Sequence, residues 1–170
     1  MILEEKDDYR AGIGTDIHRL VEDRKLMLCG IYVPYPLGLL GHSDGDVALH
    51  AVIDALLGAS GMGDIGTLFP DTDDKWRGAD SKELLLIVRD KLEEKQWEIL
   101  NVDLIIHAEA PKLGPVKGQM KRAVAGLLGI DFAAVNVKAK TNEGLGDIGA
   151  GNAIAATATT LIRKKKRRGL

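Results

Sequence analysis

Apolar residues recur along this chain with two different periods. Val47, Leu49, Val52, Ile53, Leu56 and Leu57 fall at helical spacing, so residues 44–57 read as a helix, with Ser43 or Asp44 as its cap. Glycines 58, 61, 63 and 66 follow and are expected to stop it. Asp80, with Glu83 three residues on, predicts a second helix running to about Lys95. A third spans residues 116–128, stopped by Gly129 and preceded by the breaking pair Pro111 and Pro115. The β-branched and alternating stretches predict strands at 10–18, 97–108, 135–140 and 154–162. Residues 26–29 and 31–33 flank Gly30 as a short hairpin, and 38–41, 69–73 and 144–151 read as loops. Strands alternate with helices, so the fold class is α/β or α+β.

At 170 residues and 18.3 kDa, the chain suggests a single domain. Cys29 is the only cysteine, so neither an internal disulfide nor a cysteine-built zinc site can form. Aromatics are 4%, too few for a base-stacking surface. The longest apolar run, 84–88, is far shorter than the ~20 residues a membrane span needs. The acidic N-terminal stretch does not read as a secretory signal, and a cytoplasmic protein is expected.

The net charge of −2 conceals an asymmetry. Six of the 23 Lys and Arg residues lie at 163–168, which leaves 17 basic against 25 acidic residues in 1–162, a net of −8. The expected organisation is an extension at 1–8, a single folded domain at 9–162 and a solvated basic tail at 163–170. An acidic body is a poor nucleic-acid surface, so no nucleic-acid partner is expected.

Four groups of residues could carry chemistry. Asp16 and His18 share a face of their strand, because side chains alternate. Asp46, His50 and Asp54 fall at i, i+4 and i+8 on the first helix, so an acidic neighbour could hold one nitrogen of His50 while the other binds a metal. Asp16, His18 and His50 supply the three-ligand count of a catalytic zinc site. The segment Asp64, Ile65 and Gly66, with Phe69, Asp71 and Asp73, offers small residues for close phosphate approach and acids for hydroxyls. Lys140, Thr141, Asn142 and Glu143 leave a strand end, where Lys140 and Thr141 could touch phosphate and Glu143 a hard cation. Each group alone is also compatible with an ordinary strand end, core histidine or surface loop. His107 reads as structural.

In their order along the chain these stretches resemble the 2-C-methyl-D-erythritol 2,4-cyclodiphosphate synthase family. The matching segments are GIGTDIHRL (12–20), GLLGHSDGDVALHAVIDALLGA (38–59), GDIGTLFPDTD (63–73), GADS (78–81), NVDLIIHAEAPKL (101–113) and VNVKAKTNEGLG (135–146). The resemblance implies a phosphorus–oxygen lyase of non-mevalonate isoprenoid synthesis. In that reaction the 2-phosphate of 4-diphosphocytidyl-2-C-methyl-D-erythritol 2-phosphate attacks the β-phosphorus of its own CDP group and releases CMP. The resemblance implies Zn²⁺ on Asp16, His18 and His50, and Mg²⁺ or Mn²⁺ on Glu143. It puts transition-state stabilisation on His42 and Thr141. Phosphate and erythritol contacts are implied for Asp16, His18, His42, Ser43, Asp64, Ile65, Gly66, Phe69, Asp71 and Asp73. A cytidine pocket is implied at Ala108, Ala110, Pro111, Lys112, Leu113 and Gly114, with Lys140, Asn142 and Glu143 near the diphosphate.

The fold the resemblance implies is a mixed sheet with helices on one face. Three such protomers would pack their sheets around a three-fold axis, with active sites between neighbours. Where some members bind an isoprenoid diphosphate on that axis, this chain has Thr15, Ala150 and Asn152 and lacks the anion-binding arginine, so such binding is not expected. Two alternatives use the same residues: a zinc phosphohydrolase that activates water, and a nucleotide-binding module with a structural zinc and an RNA-binding tail.

Overall fold

Strand β1 (Tyr9–Val21) is the long element on which the functional face is built. The computed structural model describes residues 8–165. β1 pairs antiparallel with β7 (Ala153–Lys164), which pairs antiparallel with β5 (Trp97–His107), and β5 pairs parallel with β6 (Val135–Lys140). A two-residue strand β4 (Gly38–Leu39) closes the other edge, giving the order β4-β1-β7-β5-β6. Strands β2 (Leu26–Leu28) and β3 (Ile31–Val33) form the separate hairpin.

The helices α1 (Val47–Ser60), α3 (Ser81–Glu94) and α4 (Lys117–Leu128) cover one face of the sheet. Two short helices, α2 (Ile65–Leu68) and α5 (Gly146–Gly149), lie within stretches whose glycines predicted loops. The core is aliphatic: Leu49, Ile53, Leu56, Leu57, Leu85, Leu104 and Ile106 are fully buried between α1, α3 and β5. The opposite face of β1 carries Ile13 and Ile17, 66% and 57% exposed.

Helix α1 lies unusually close to β1, and two glycines permit it. A Cβ on Gly12 would stand 2.0 Å from the Ala55 carbonyl oxygen, and one on Gly14 would stand 2.1 Å from that of Ala51. Gly12, Gly14, Asp16 and His18 follow one another on a single face of β1. That row runs back along α1 toward its first turn, where His50 sits.

Several boundaries differ from the sequence expectation. The cap of α1 is Asp46, not Ser43 or Asp44: its wholly buried carboxylate accepts Leu49 N–H at 3.0 Å. It also accepts Cys29 N–H at 2.9 Å and Gly30 N–H at 2.6 Å from the hairpin turn. The helix passes through Gly58 and stops at Gly61, which takes the left-handed conformation at φ 70°. Residues 38–41 contribute β4 instead of a pure loop. Strand β7 continues to Lys164, so the first two residues of the basic run belong to the sheet. There Arg163 pairs with Glu98 at 2.6 Å and Lys164 Nζ lies 4.3 Å from the Trp97 ring. Residues 166–170 of the expected tail, and 1–7 of the expected extension, lie outside the described residues.

Candidate active site

Alternation along β1 points Asp16 and His18 to the helix-covered side, and the close approach of α1 brings His50 to them. Asp16 Oδ2 is 2.9 Å from His18 Nε2 and 2.9 Å from His50 Nδ1, and the two imidazole nitrogens are 3.2 Å apart. Three donor atoms thus form a near-equilateral triangle. Donors about 2.0–2.1 Å from a tetrahedral zinc lie roughly 3.3 Å apart, so the set fits that ion with one position left open. Burial would raise the Asp16 carboxyl, but hydrogen bonds from both imidazoles, with their charge, hold it well below the usual carboxylate range. Burial would lower His18, but its hydrogen bond and attraction to Asp16 hold it above its ordinary value.

The other side of the His50 ring faces hydroxyls. Nε2 is 2.9 Å from Ser81 Oγ and 3.1 Å from Ser43 Oγ. The expectation that Asp46 or Asp54 would hold this nitrogen is not met. Asp46 is turned to the hairpin turn, and Asp54 Oδ1 accepts Ile65 N–H at 2.7 Å. Helical spacing placed both correctly along α1, but backbone donors claimed their carboxylates. Arg24 steadies the loop before α1, donating to the carbonyls of Gly41 at 3.3 Å and Ser43 at 2.7 Å.

A cavity of about 340 Å³ opens beside the triad. His42, Ser43, Ile65, Gly66, Phe69 and Asp71 line it, as does the triad itself. Trp76 and Leu84 complete its apolar wall, and the Phe69 and Trp76 rings meet edge to face at 4.9 Å. A second cavity of about 260 Å³ lies between the ends of β5 and β6 and the approach to α4. Its lining includes Ala108, Pro111, Lys112, Leu113, Gly114, Lys140 and Thr141. The two cavities share no lining residue within one chain.

The sequence model of the YgbB family matches residues 9–163. The chain belongs to the YgbB family. The 2-C-methyl-D-erythritol 2,4-cyclodiphosphate synthase of Treponema denticola is 50% identical over 153 residues, covering 90% of this chain and 95% of that protein. The protein of the same name from Bordetella petrii is 52% identical over 156 residues, covering 92% and 96%. Among solved structures, a 2C-methyl-D-erythritol-2,4-cyclodiphosphate synthase in its CDP-bound form superposes with a TM-score of 0.83 at 42% identity, covering 90% of this chain and 99% of that one.

In this YgbB-family chain the remaining expected site residues fall in three places. Asp64 caps α2, accepting Thr67 N–H at 2.7 Å, and Asp73 caps a single 3-10 turn, accepting Lys75 N–H at 3.0 Å. Thr141 donates its hydroxyl to Glu143 Oε1 at 2.6 Å, and Asn142 N–H donates to Glu109 Oε2 at 3.2 Å. Ala110 stands outside the second cavity's lining and forms a cis peptide with Pro111. Trp76, Leu84 and Ser81 were not anticipated as neighbours of the site. Leu84 and Ser81 sit on the face of α3 turned toward α1, a relation no local spacing encodes.

Proposed function

We propose that this chain converts 4-diphosphocytidyl-2-C-methyl-D-erythritol 2-phosphate into 2-C-methyl-D-erythritol 2,4-cyclodiphosphate and CMP. One observation carries the reading. The Asp16–His18–His50 triad converges beside an open cavity, in a chain at least half identical over nearly its whole length to two synthases of that name. The synthases are lyases of the non-mevalonate route, and this chain takes the same role.

The nucleophile is a phosphate already ionised at neutral pH, so the site needs no strong base. An oxygen of the 2-phosphate forms a bond to the β-phosphorus, and the bond from that phosphorus to the α,β-bridging oxygen breaks. The electron pair leaves with CMP. Asp16, His18 and His50 would hold a Zn²⁺ ion, and Glu143 a Mg²⁺ or Mn²⁺ ion on the diphosphate. When bound, these cations take up the negative charge of the phosphoryl oxygens. His42 and Ser43 hold the phosphate end, Gly66 and its neighbours the erythritol part, and Thr141 and Lys140 the diphosphate. Main-chain groups of residues 108–114 read the cytosine edge. Folding the substrate so that its ends meet removes entropy before the chemical step.

The functional unit is a homotrimer. The separation of the two cavities in one chain supports it, since a metal half-site can face a neighbour's cytidine half-site. The exposed Ile13 and Ile17 on the open sheet face supply an apolar surface for that packing. We place the enzyme in the cytoplasm; no helix among the described residues is long and apolar enough to cross a membrane.

Phosphorus NMR tests the reading. The protein is given the CDP-methylerythritol phosphate and Mg²⁺, before and after a zinc chelator. Two coupled cyclic-diphosphate resonances with CMP, lost on chelation, are expected. An open-chain product would mean a hydrolase, and no turnover by a folded, zinc-loaded sample would refute the assignment.

A further inference from the structure

His50 Nε2, turned away from the triad, faces a buried polar chain that none of the proposed chemistry uses. Ser81 is fully buried, and its Oγ lies 2.9 Å from that nitrogen. The same hydroxyl donates to Asp44 Oδ1 at 2.5 Å, while Ser81 N–H donates to Asp44 Oδ2 at 3.2 Å. Asp46 N–H also donates to Asp44 Oδ1, at 3.2 Å. Asp44 is therefore an acceptor on both oxygens.

The direction of the bond between Ser81 and His50 follows from that fact. A serine hydroxyl has one proton, and Asp44 takes it. The Ser81 oxygen is left with lone pairs only toward His50. The bond between His50 Nε2 and Ser81 Oγ can then be made only with a ring proton on Nε2, which donates to Ser81. Ser43 Oγ, at 3.1 Å, is the farther oxygen; it accepts Gly45 N–H at 3.2 Å, and its own proton has an outlet in Ser81 Oγ at 3.5 Å. With the proton held on Nε2, a metal ion that displaces the proton shared between Nδ1 and Asp16 finds the Nδ1 lone pair at the point where Asp16 and His18 converge.

We propose that Ser81 and Asp44 are positioning residues that fix the tautomer and ring plane of His50, so that Nδ1 is a ready ligand for the metal. The proposal rests on the metal role given above to the triad. It ties a residue at the start of α3 and one in the loop before α1 to the affinity for a metal that neither would touch. Imidazole ligands whose far N–H is oriented bind more tightly, and removing the orienting partner costs about 10–100-fold in affinity.

The test is zinc affinity by chelator competition for wild type, Ser81→Ala and Asp44→Asn. Alongside it, nitrogen–proton NMR of the zinc-loaded proteins follows exchange of the His50 Nε2–H. Asp44→Asn is the informative variant. It keeps the shape, but its amide can donate to Ser81 Oγ, which frees the hydroxyl proton for Nε2 and drives His50 to the wrong tautomer. Both variants are expected to weaken zinc binding by about 10–100-fold and to speed exchange of the Nε2 proton. The Asn amide that donates to Ser81 Oγ leaves Asp46 N–H without its acceptor, so circular dichroism at the assay temperature accompanies both variants and the affinity and exchange are read on folded protein. Wild-type affinity and an equally protected Nε2–H in Asp44→Asn would overturn the proposal while leaving the triad's metal role intact. Failure of the wild type to bind zinc would overturn that role and the proposal with it.

Discussion

Gly14 lies directly under Ala51: a Cβ at Gly14 would come within 2.1 Å of the Ala51 carbonyl oxygen and 2.5 Å of the Ala55 nitrogen. Both neighbours are helix backbone, which cannot swing aside as a side chain could. Gly14→Ala must lift α1 off β1, and His50 goes with it. The expected cost is at least roughly 1–3 kcal/mol, as for other overpacked positions, together with weaker metal binding. Urea unfolding and metal content read both. A variant as stable and as metal-competent as wild type would show that the contact does not set the site.

Asp46 satisfies three backbone donors at once: the buried ones of Leu49 and Cys29 and the half-buried one of Gly30. Asp46→Ala removes the cap of α1 and leaves the hairpin turn without its acceptor. Loss of a cap costs about 1 kcal/mol and each orphaned buried donor about 1–3 more, so a total of roughly 3 kcal/mol or above is expected. A change below about 1 kcal/mol in chemical denaturation would contradict this account of the turn.

His50→Ala deletes one corner of the triad without touching the aliphatic core. If the triad holds zinc as proposed, a folded protein that no longer binds it is expected, with turnover down by about 10²–10³-fold or more. Metal analysis beside a circular dichroism spectrum separates the two effects. Retention of both metal and rate would refute the metal role proposed for His50.

Asp103 accepts from Lys138 at 2.5 Å and from Asn136 at 3.0 Å on the open sheet face. Slight burial works against ionisation, but these two partners hold the carboxyl below its ordinary value. A depressed carboxyl stabilises the fold above its unfolded pKa of about 4, and the contribution is lost as pH falls through the lower folded value. Both side chains are more than a third exposed, so the contribution is screened to a few tenths of a kcal/mol. Asp103→Asn should lower stability by about that amount at neutral pH and converge with wild type in acid, which flattens the acid limb; denaturant unfolding at a series of pH values reads it, and an unchanged pH profile would refute it.

Truncation separates the sheet from the tail. Removing everything after Lys165 should leave turnover unchanged. Cutting after Ile162 also removes Arg163, which pairs with Glu98, and Lys164, whose Nζ donates to the Lys95 carbonyl at 2.6 Å. A lowered melting temperature is expected for the second truncation only. Equal losses for both would assign a role to residues 166–170.

Local patterns carried much of the reading, and their failures share a cause. The Asp16–His18 pairing was legible because strand alternation is a purely local rule. So was Asp80 as the cap of α3, since no better cap lies beside it. The cap of α1 was not: Ser43, Asp44 and Asp46 are equally suitable by type, and the choice was made by the hairpin turn that Asp46 also serves. Gly58 failed as a stop signal because α1 is buried on nearly every side, and packing outweighs the ~1 kcal/mol a helical glycine costs. Residues 163 and 164 looked like a solvated charge run. Their stems instead extend β7, and Trp97 and Glu98 receive their charged ends. The link from His50 through Ser81 to Asp44 had no sequence signal, because only the packing of α3 against α1 brings position 81 to position 50.

The chain between α1 and α3 is stitched at both ends to α1, which carries His50, and to the loop before it. Ile65 N–H is tied to Asp54, Gly78 N–H donates to the His42 carbonyl at 2.8 Å, and Asp44 N–H donates to the Ala79 carbonyl at 3.0 Å. The intervening tip, with Asp71, Lys75 and Trp76, can therefore be lengthened, shortened or rewritten without pulling on the triad. Such an arrangement separates two kinds of evolutionary freedom. The doorway can be refitted to a different guest while the hearth stays where it is.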